Sequence, residues 1–431
     1  MGRGAALSAG SQLLAALLAW LTGVLVARLL GPEGAGEYGV ILVLLLALIS
    51  FSGSGIAGGV AYELSRAPQD PRSVVRQILV GAGLLGALGF GIGAAATELL
   101  SNSAFRGIDQ RATLFALAGL PPALAWIYFQ HVGLAREAYG LYAAAPIVQT
   151  LSCLAATAVL GATADLQGAA IALGVSHLIA AALAFALIRR ELGAEPKGRL
   201  AADLARLRRA VVYGAKTYVF VALNFVALRI DLLVLNAFVS ARQVGQYAVA
   251  VSIVGLAPLL PRGLSPIVFA RIASITEDDA ASDAVSARAL RHAVLLILVA
   301  GIAVTGALAL VPTVYGADFA EGTKLGFILL PGACALGMAN VVQANFMGRG
   351  PADYAAYTAL VVGPAAILAY FLLIPAYEAE GAALASSLVY MLSLVIALTL
   401  YYLRQSAGTL DIRWFTPGRD EIADYRRLLR R

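Results

Sequence analysis

Charge is scarce in this chain: Asp, Glu, Lys and Arg make up 13% of its 431 residues, about half the share usual in a soluble domain. With 60% hydrophobic residues and a mean hydropathy of +0.83, that scarcity excludes a large water-soluble enzyme. Cysteine is nearly absent as well. Cys153 and Cys334 stand at no metal-ligand spacing, so they read as small apolar packing residues and say nothing of redox compartment. No Walker loop, HExxH pair or GxSxG elbow appears, which removes the familiar signatures of nucleotide, zinc-dependent and serine-dependent hydrolysis. No cofactor or metal is expected, and the chain does not read as an enzyme. Gly53, Gly55 and Gly58 copy a GxGxxG spacing. They lie inside an apolar stretch rather than after a strand, so close helix packing is the better account.

What the chain has in quantity is apolar sequence. A membrane span needs about 20 mainly apolar residues, and breaks at charged or turn-rich segments leave twelve such stretches, from 8–28 to 381–403. Charge sorts itself between the connections. The amino end, alternate loops and tail carry 24 of the 31 Lys and Arg residues, and the intervening loops carry five. The positive-inside rule then puts both termini in the cytoplasm. The basic excess is thereby explained, and no nucleic-acid partner is inferred. The first stretch, preceded by Arg3 and followed by Arg28 without a small-residue cleavage site, reads as a retained helix rather than a signal peptide.

Three echoes divide the chain. Gly36, Glu37 and Tyr38 fall on Gly245, Gln246 and Tyr247 at an offset of 209. Gly133, Tyr139 and Tyr142 match Gly348, Tyr354 and Tyr357 at 215, and QGAAIA (167–172) matches EGAALA (380–385) at 213. Six spans separate each pair, so both halves enter the membrane in the same sense, as a parallel repeat does. The expected organisation is an amino-terminal six-helix bundle (1–190), a basic linker (191–210), a carboxyl-terminal six-helix bundle (211–403) and a basic tail (404–431). In the linker Leu200, Leu204 and Leu207 recur at helical spacing among arginines, and the tail is similar, so both are expected to lie on anionic lipid.

Polar residues inside apolar spans are costly and mark function by default. RIDLLVLNAFVSARQVGQYAVAV (229–251) sets Arg229 and Asp231 in such a span. Spaced by seven, Thr217, Asn224 and Asp231 form one stripe on an ideal helix, bordered by Lys216, while Arg229 points elsewhere. Asp231 is the acid placed deepest and is the candidate proton or cation site. Arg28 closes the first span, where snorkelling is the alternative. Arg262 lies in PLLPRGLSP (258–266), whose prolines are expected to break the helix. His177, midway along the sixth span, is a candidate proton relay or a hydrogen-bonded structural histidine.

ARLLGPEGAGEYG after a first helix, and RIDLLVLNAFVSARQVGQYAVAVSIVGLAPLLPRGLSP later, resemble the polysaccharide-biosynthesis branch of the multidrug/oligosaccharidyl-lipid/polysaccharide exporter superfamily. The resemblance implies an all-α polytopic protein of about twelve transmembrane helices, two parallel-repeat six-helix bundles in a V around a central cavity that opens alternately to each side. It implies a flippase carrying polyprenyl-pyrophosphate-linked oligosaccharide from the inner to the outer leaflet of the bacterial cytoplasmic membrane. Cavity cations would meet the pyrophosphate, and the positions available are Arg28, Lys216, Arg229 and Arg262, with Asn224, Thr217 and Gln12 for sugar hydroxyls. Lipid-linked oligosaccharide and anionic lipid are the expected partners, and other membrane proteins of polysaccharide assembly fit the same reading. Asp231 or His177 would couple transport to an ion gradient. The rivals are a drug or cation antiporter of the same superfamily and a membrane glycosyltransferase or polymerase. An acid-poor amino half weakens the first and short outer loops weaken the second.

Overall fold

Backbone N–H and C=O groups find no partner in hydrocarbon, so an apolar chain that crosses it must satisfy them within its own segments. The computed structural model does so with helices, and among the described residues there is no strand. It describes residues 2–66, 71–135, 138–191, 221–275, 279–349 and 353–404, with 415, 416 and 418.

In the amino half the elements are α1 (Gly2–Arg66), α2 (Pro71–Leu99), α3 (Gln110–Leu117), α4 (Leu120–Ala135), α5 (Tyr139–Ala156), a π turn (Thr157–Gly161) and α6 (Ala162–Glu191). The described part of α7 (Val221–Arg229) and the eight-residue α8 (Asp231–Phe238) follow. After α9 (Ala241–Val254) come α10 (Leu259–Arg262), α11 (Ser265–Ala273), α12 (Asp279–Ala309), α13 (Val311–Val314), a 3₁₀ turn (Ala317–Phe319), α14 (Ala320–Arg349) and α15 (Asp353–Arg404).

Among the described residues, seven helical runs are long and apolar enough to cross a membrane, and two bent pairs pass together. Three of the seven, Gly10–Gly53, Gly140–Ile188 and Tyr357–Leu403, hold 44, 49 and 47 residues. That is twice the length of one crossing, and each contains one break. Counting these three as two spans each, and each bent pair as one, gives twelve. The first break falls at Gly31 (φ 68°), with Pro32 opening the next helix where its missing N–H costs nothing. The other two lie at Ala164–Asp165 and at Glu378.

These breaks carry the internal repeat into the backbone. Asp165 (φ 49°, ψ −131°) and Glu378 (φ 53°, ψ −130°) stand 213 residues apart in nearly the same unusual conformation. Three residues on, a Cβ on Gly168 would overlap the Leu160 carbonyl oxygen, and one on Gly381 would overlap that of Leu373, again 213 apart. The duplicated Gly-x-Tyr segments, expected as turns, are helical, near the starts of the second arm of α1 and of α9, and they touch. A Cβ on Gly36 would overlap the Ala241 carbonyl, and a Cβ on Gly245 would overlap the Pro32 carbonyl. With the offset of 209, Pro32 corresponds to Ala241 and Gly36 to Gly245. The contact is therefore reciprocal, as across a two-fold axis.

The chain divides into two compact units, 1–248 and 249–431. In the first, Tyr128 and Phe129 are fully buried and the Tyr128 hydroxyl donates to the Ser52 carbonyl at 2.8 Å. In the second, α11, α12, α14 and α15 close on Ile272, Leu290, Phe346 and Tyr401, and the Tyr401 hydroxyl donates to Asp283 at 3.0 Å. The basic linker lies largely outside the described residues, as does most of the tail.

Candidate functional site

An acid in an apolar span must be hydrated, paired or hydrogen-bonded. Asp231 is 1% exposed. The span it belongs to does not run straight: α7 ends at Arg229 and α8 begins at Asp231, bent by 47°. No proline or glycine stands at this joint. Aspartate itself competes for backbone N–H groups and favours helix starts. Here its Oδ1 accepts from the Leu232 N–H at 2.9 Å, which uses one donor that a new helix leaves unsatisfied. Its Oδ2 accepts from the Tyr247 hydroxyl at 2.5 Å. Tyr247 is fully buried on α9, in the duplicated segment, so the repeat supplies a partner for the buried acid.

The far end of α8 is also engaged. Asn236, 1% exposed, donates through Nδ2 to the carbonyls of Ala104 at 3.0 Å and Arg106 at 3.2 Å. Arg106 donates through Nη2 to the Val239 carbonyl at 3.0 Å, at the C-cap of α8. A cation at a helix C-terminus is favourably placed against its dipole. Beside this lies a polar chain in which Glu37 accepts from the Asp109 N–H at 3.4 Å. Asp109 in turn accepts from the Gln167 amide at 3.0 Å and caps α3 through the N–H groups of Arg111 and Ala112. Burial alone would raise the Asp109 carboxyl. The Gln167 hydrogen bond, the two cap N–H groups and the Arg111 charge outweigh it and hold the carboxyl below its ordinary value.

The residues singled out in the sequence occupy different surroundings. Lys216 and Thr217 lie outside the described residues. Asn224 and Arg229 are exposed on α7, whereas Asp231, past the bend at Ile230, is buried. Gln12 and Arg28 are exposed on the first arm of α1. Arg262 is exposed at the end of α10, inside a second bend of 46° that the prolines introduce. His177 is buried, its Nδ1 accepting from the Trp126 indole N–H at 3.0 Å with the two rings stacked. Tyr247, Asn236 and Arg106 were not among the expected site residues. Tyr247 was visible in the echo and Asn236 as an amide inside LLVLNAF, whereas nothing local marks Arg106.

A family model described as "Polysaccharide biosynthesis protein" matches residues 1–272. Among solved structures, one described as lipid II flippase MurJ in an inward closed conformation superposes with a TM-score of 0.71. The two are 14% identical, and the match covers 94% of this chain and 88% of that one. An inward-facing multidrug resistance MATE family transporter of the MOP superfamily gives 0.68 at 15% identity, covering 91% and 95%. Its outward-facing counterpart gives 0.62 at 13% identity, covering 94% and 95%. No curated protein matches. At these identities the likeness establishes a shared fold.

Proposed function

We propose, on the premise that the chain belongs to the polysaccharide biosynthesis protein family, that it flips lipid-linked oligosaccharide from the inner to the outer leaflet. The carrier lipid would be a polyprenyl pyrophosphate, the membrane the bacterial cytoplasmic one, and both termini would face the cytoplasm. The observation that carries a transport reading is Asp231: a carboxylate buried in a broken span and bound to Tyr247. Such a group is costly to bury within a span, and that cost marks it as functional by default.

Uncatalysed crossing would strip water from a diphosphate and many hydroxyls with nothing to replace it. A polar path supplies those partners while the lipid tail stays in the bilayer. Arg28, Lys216, Arg229 and Arg262 are proposed for the pyrophosphate, with Gln12, Asn224 and Thr217 for sugar hydroxyls. Asp231 is proposed as the coupling site, since one charge moved through 100 mV supplies about 2.3 kcal/mol. His177 is the secondary candidate. With Nδ1 accepting from Trp126, only Nε2 is left to exchange a proton. The division into bundles at 1–190 and 211–403, with linker and tail on anionic lipid, belongs to the same proposal.

The second reading, a drug or cation antiporter, is favoured by the likeness to multidrug MATE structures. Leaflet translocation in proteoliposomes decides between them, comparing lipid-linked oligosaccharide with cationic drugs under imposed proton and sodium gradients. Glycolipid movement is the expected result. Movement of drug without glycolipid overturns the proposal.

A further inference from the structure

In the second unit a cavity lies where α12 begins and α14 and α15 end. Val341, Val342 and Asn345 of α14 line it, together with Ser286 of α12 and Tyr401 of α15. It leaves about 10 Å³ for the centre of a guest, which is room for one molecule the size of water. Asn345 is 2% exposed. Its Nδ2 donates to Ser286 Oγ, which donates in turn to the Ser282 carbonyl at 2.7 Å. Its Oδ1 is buried and has no hydrogen-bond partner among the described residues. An acceptor buried in that way costs its full desolvation unless a donor reaches it.

The repeat shows how the space arises. At the offset of 215 that joins Gly133 to Gly348, the α14 residues Val341, Val342 and Asn345 fall on Trp126, Ile127 and Gln130. All three are larger in the first unit. The longer amide there reaches the Tyr142 carbonyl, to which its Nε2 donates at 2.9 Å. Three smaller side chains, one turn of helix apart at most, leave the cavity in the second unit. The shorter amide leaves the acceptor.

We infer that this cavity is a built site for one water molecule, which donates to Asn345 Oδ1 and to Ser286 Oγ and bridges α14 to α12. The chemistry of the wall selects the guest. Ser286 has spent its proton on the Ser282 carbonyl, and Asn345 Nδ2 is spent on Ser286. The pair therefore offers acceptors: the amide oxygen, and the remaining lone pair of the hydroxyl. A guest must donate, and it must be no larger than water. It must also be uncharged, because the wall is otherwise mostly apolar and two oxygens cannot replace the hydration shell of a cation. Water meets all three conditions, and two donated bonds are enough to hold it in a buried site. The second unit thus carries a hydrated joint between two helices at a place where the first is filled by side chains.

The test turns on a sign. An added methyl group fills a dry cavity and stabilises, whereas in a cavity that holds a bonded water it expels the water and strands the acceptor. Val341→Ile and Val342→Ile are each expected to lower the Tm of the full-length protein in detergent by a few degrees. In an Asn345→Leu background, where the amide oxygen is gone, the same two substitutions are expected to lower it no further. A rise in Tm for both variants of the parent overturns the water site. A crystal structure fine enough to show ordered water supplies the direct reading. Density 2.7–3.2 Å from Asn345 Oδ1 is expected, and its absence there overturns the proposal. Sodium chloride and choline chloride at equal concentration identify the guest. Equal Tm values are expected, and a rise with sodium that Asn345→Leu removes makes the guest a cation and overturns water. None of these readouts uses a substrate, so the water site and the transport reading fail or stand separately.

Discussion

The two Gly-x-Tyr segments share a backbone and differ in what the tyrosine meets. Tyr247 donates to the carboxyl of Asp231, whereas Tyr38, also buried at the position 209 residues earlier, is hydrogen-bonded to Cys153. The residue matching Asp231 is Thr22, whose hydroxyl turns back to the Leu18 carbonyl of its own helix at 2.9 Å. The two copies share the frame, down to the φ and ψ of Asp165 and Glu378, and only the later one carries the acid at this position. The frame thus accepts a hydroxyl or a carboxyl at one and the same place.

The largest expected effect separates the two copies outright. Asp231→Asn should abolish the dependence of transport on imposed proton and sodium gradients, while Thr22→Val should leave it intact. Gradient-driven flipping that persists in Asp231→Asn would remove the acid from the mechanism. Next, Tyr247→Phe takes a hydrogen bond from a buried carboxyl, costing about 1–3 kcal/mol, and Tyr38→Phe removes the bond to Cys153, worth about 0.5–1.5 kcal/mol. Thermal unfolding in detergent should rank them in that order, and equal shifts would break the contrast. The contact of Gly36 with Gly245 should behave symmetrically instead. Gly36→Ala and Gly245→Ala each force a methyl group into a carbonyl and should cost about 1–3 kcal/mol apiece by overpacking. A cost at one glycine and none at the other would show that the reciprocity is only formal.

Smaller effects come from the breaks. Asp165→Gly and Glu378→Gly relieve a conformation that L-residues rarely adopt, and each should stabilise by about 1 kcal/mol after the entropy of glycine is deducted. Stabilisation at both positions is the result to look for by calorimetry. The smallest concerns the ties next to those breaks, Gln167 to Asp109 in one half and Lys324 to Glu380 at 2.5 Å in the other. Asp109 has a folded-state pKa below its ordinary value of about 3.8. Its contribution is thus present above that value and lost as pH falls through the folded one. Asp109→Asn, which keeps an N-cap acceptor, should flatten this acid-side decline in stability. The exposed Lys324–Glu380 pair should respond mainly to salt.

Much of this was legible in the residues. Apolar length gave the crossings, since hydrocarbon permits little besides helix, and GPEG marked the first break. The echoes foretold the matched segments because both copies must satisfy one backbone geometry. The polar stripe through Asn224 and Asp231 assumed a straight helix, and the bend at Ile230 has neither proline nor glycine to announce it. Arg106 was out of reach for another reason. It acts on a carbonyl 133 positions away, and carbonyls have no sequence identity to match.

The reciprocal glycine contact also invites comparison with a pair of identical chains. A surface that meets itself, each segment presenting to the other what it receives, is what two identical chains form when they pair. In two identical chains each substitution would alter both sides at once. Within one chain the two sides are free to differ, and they do: threonine stands at 22 and aspartate at 231.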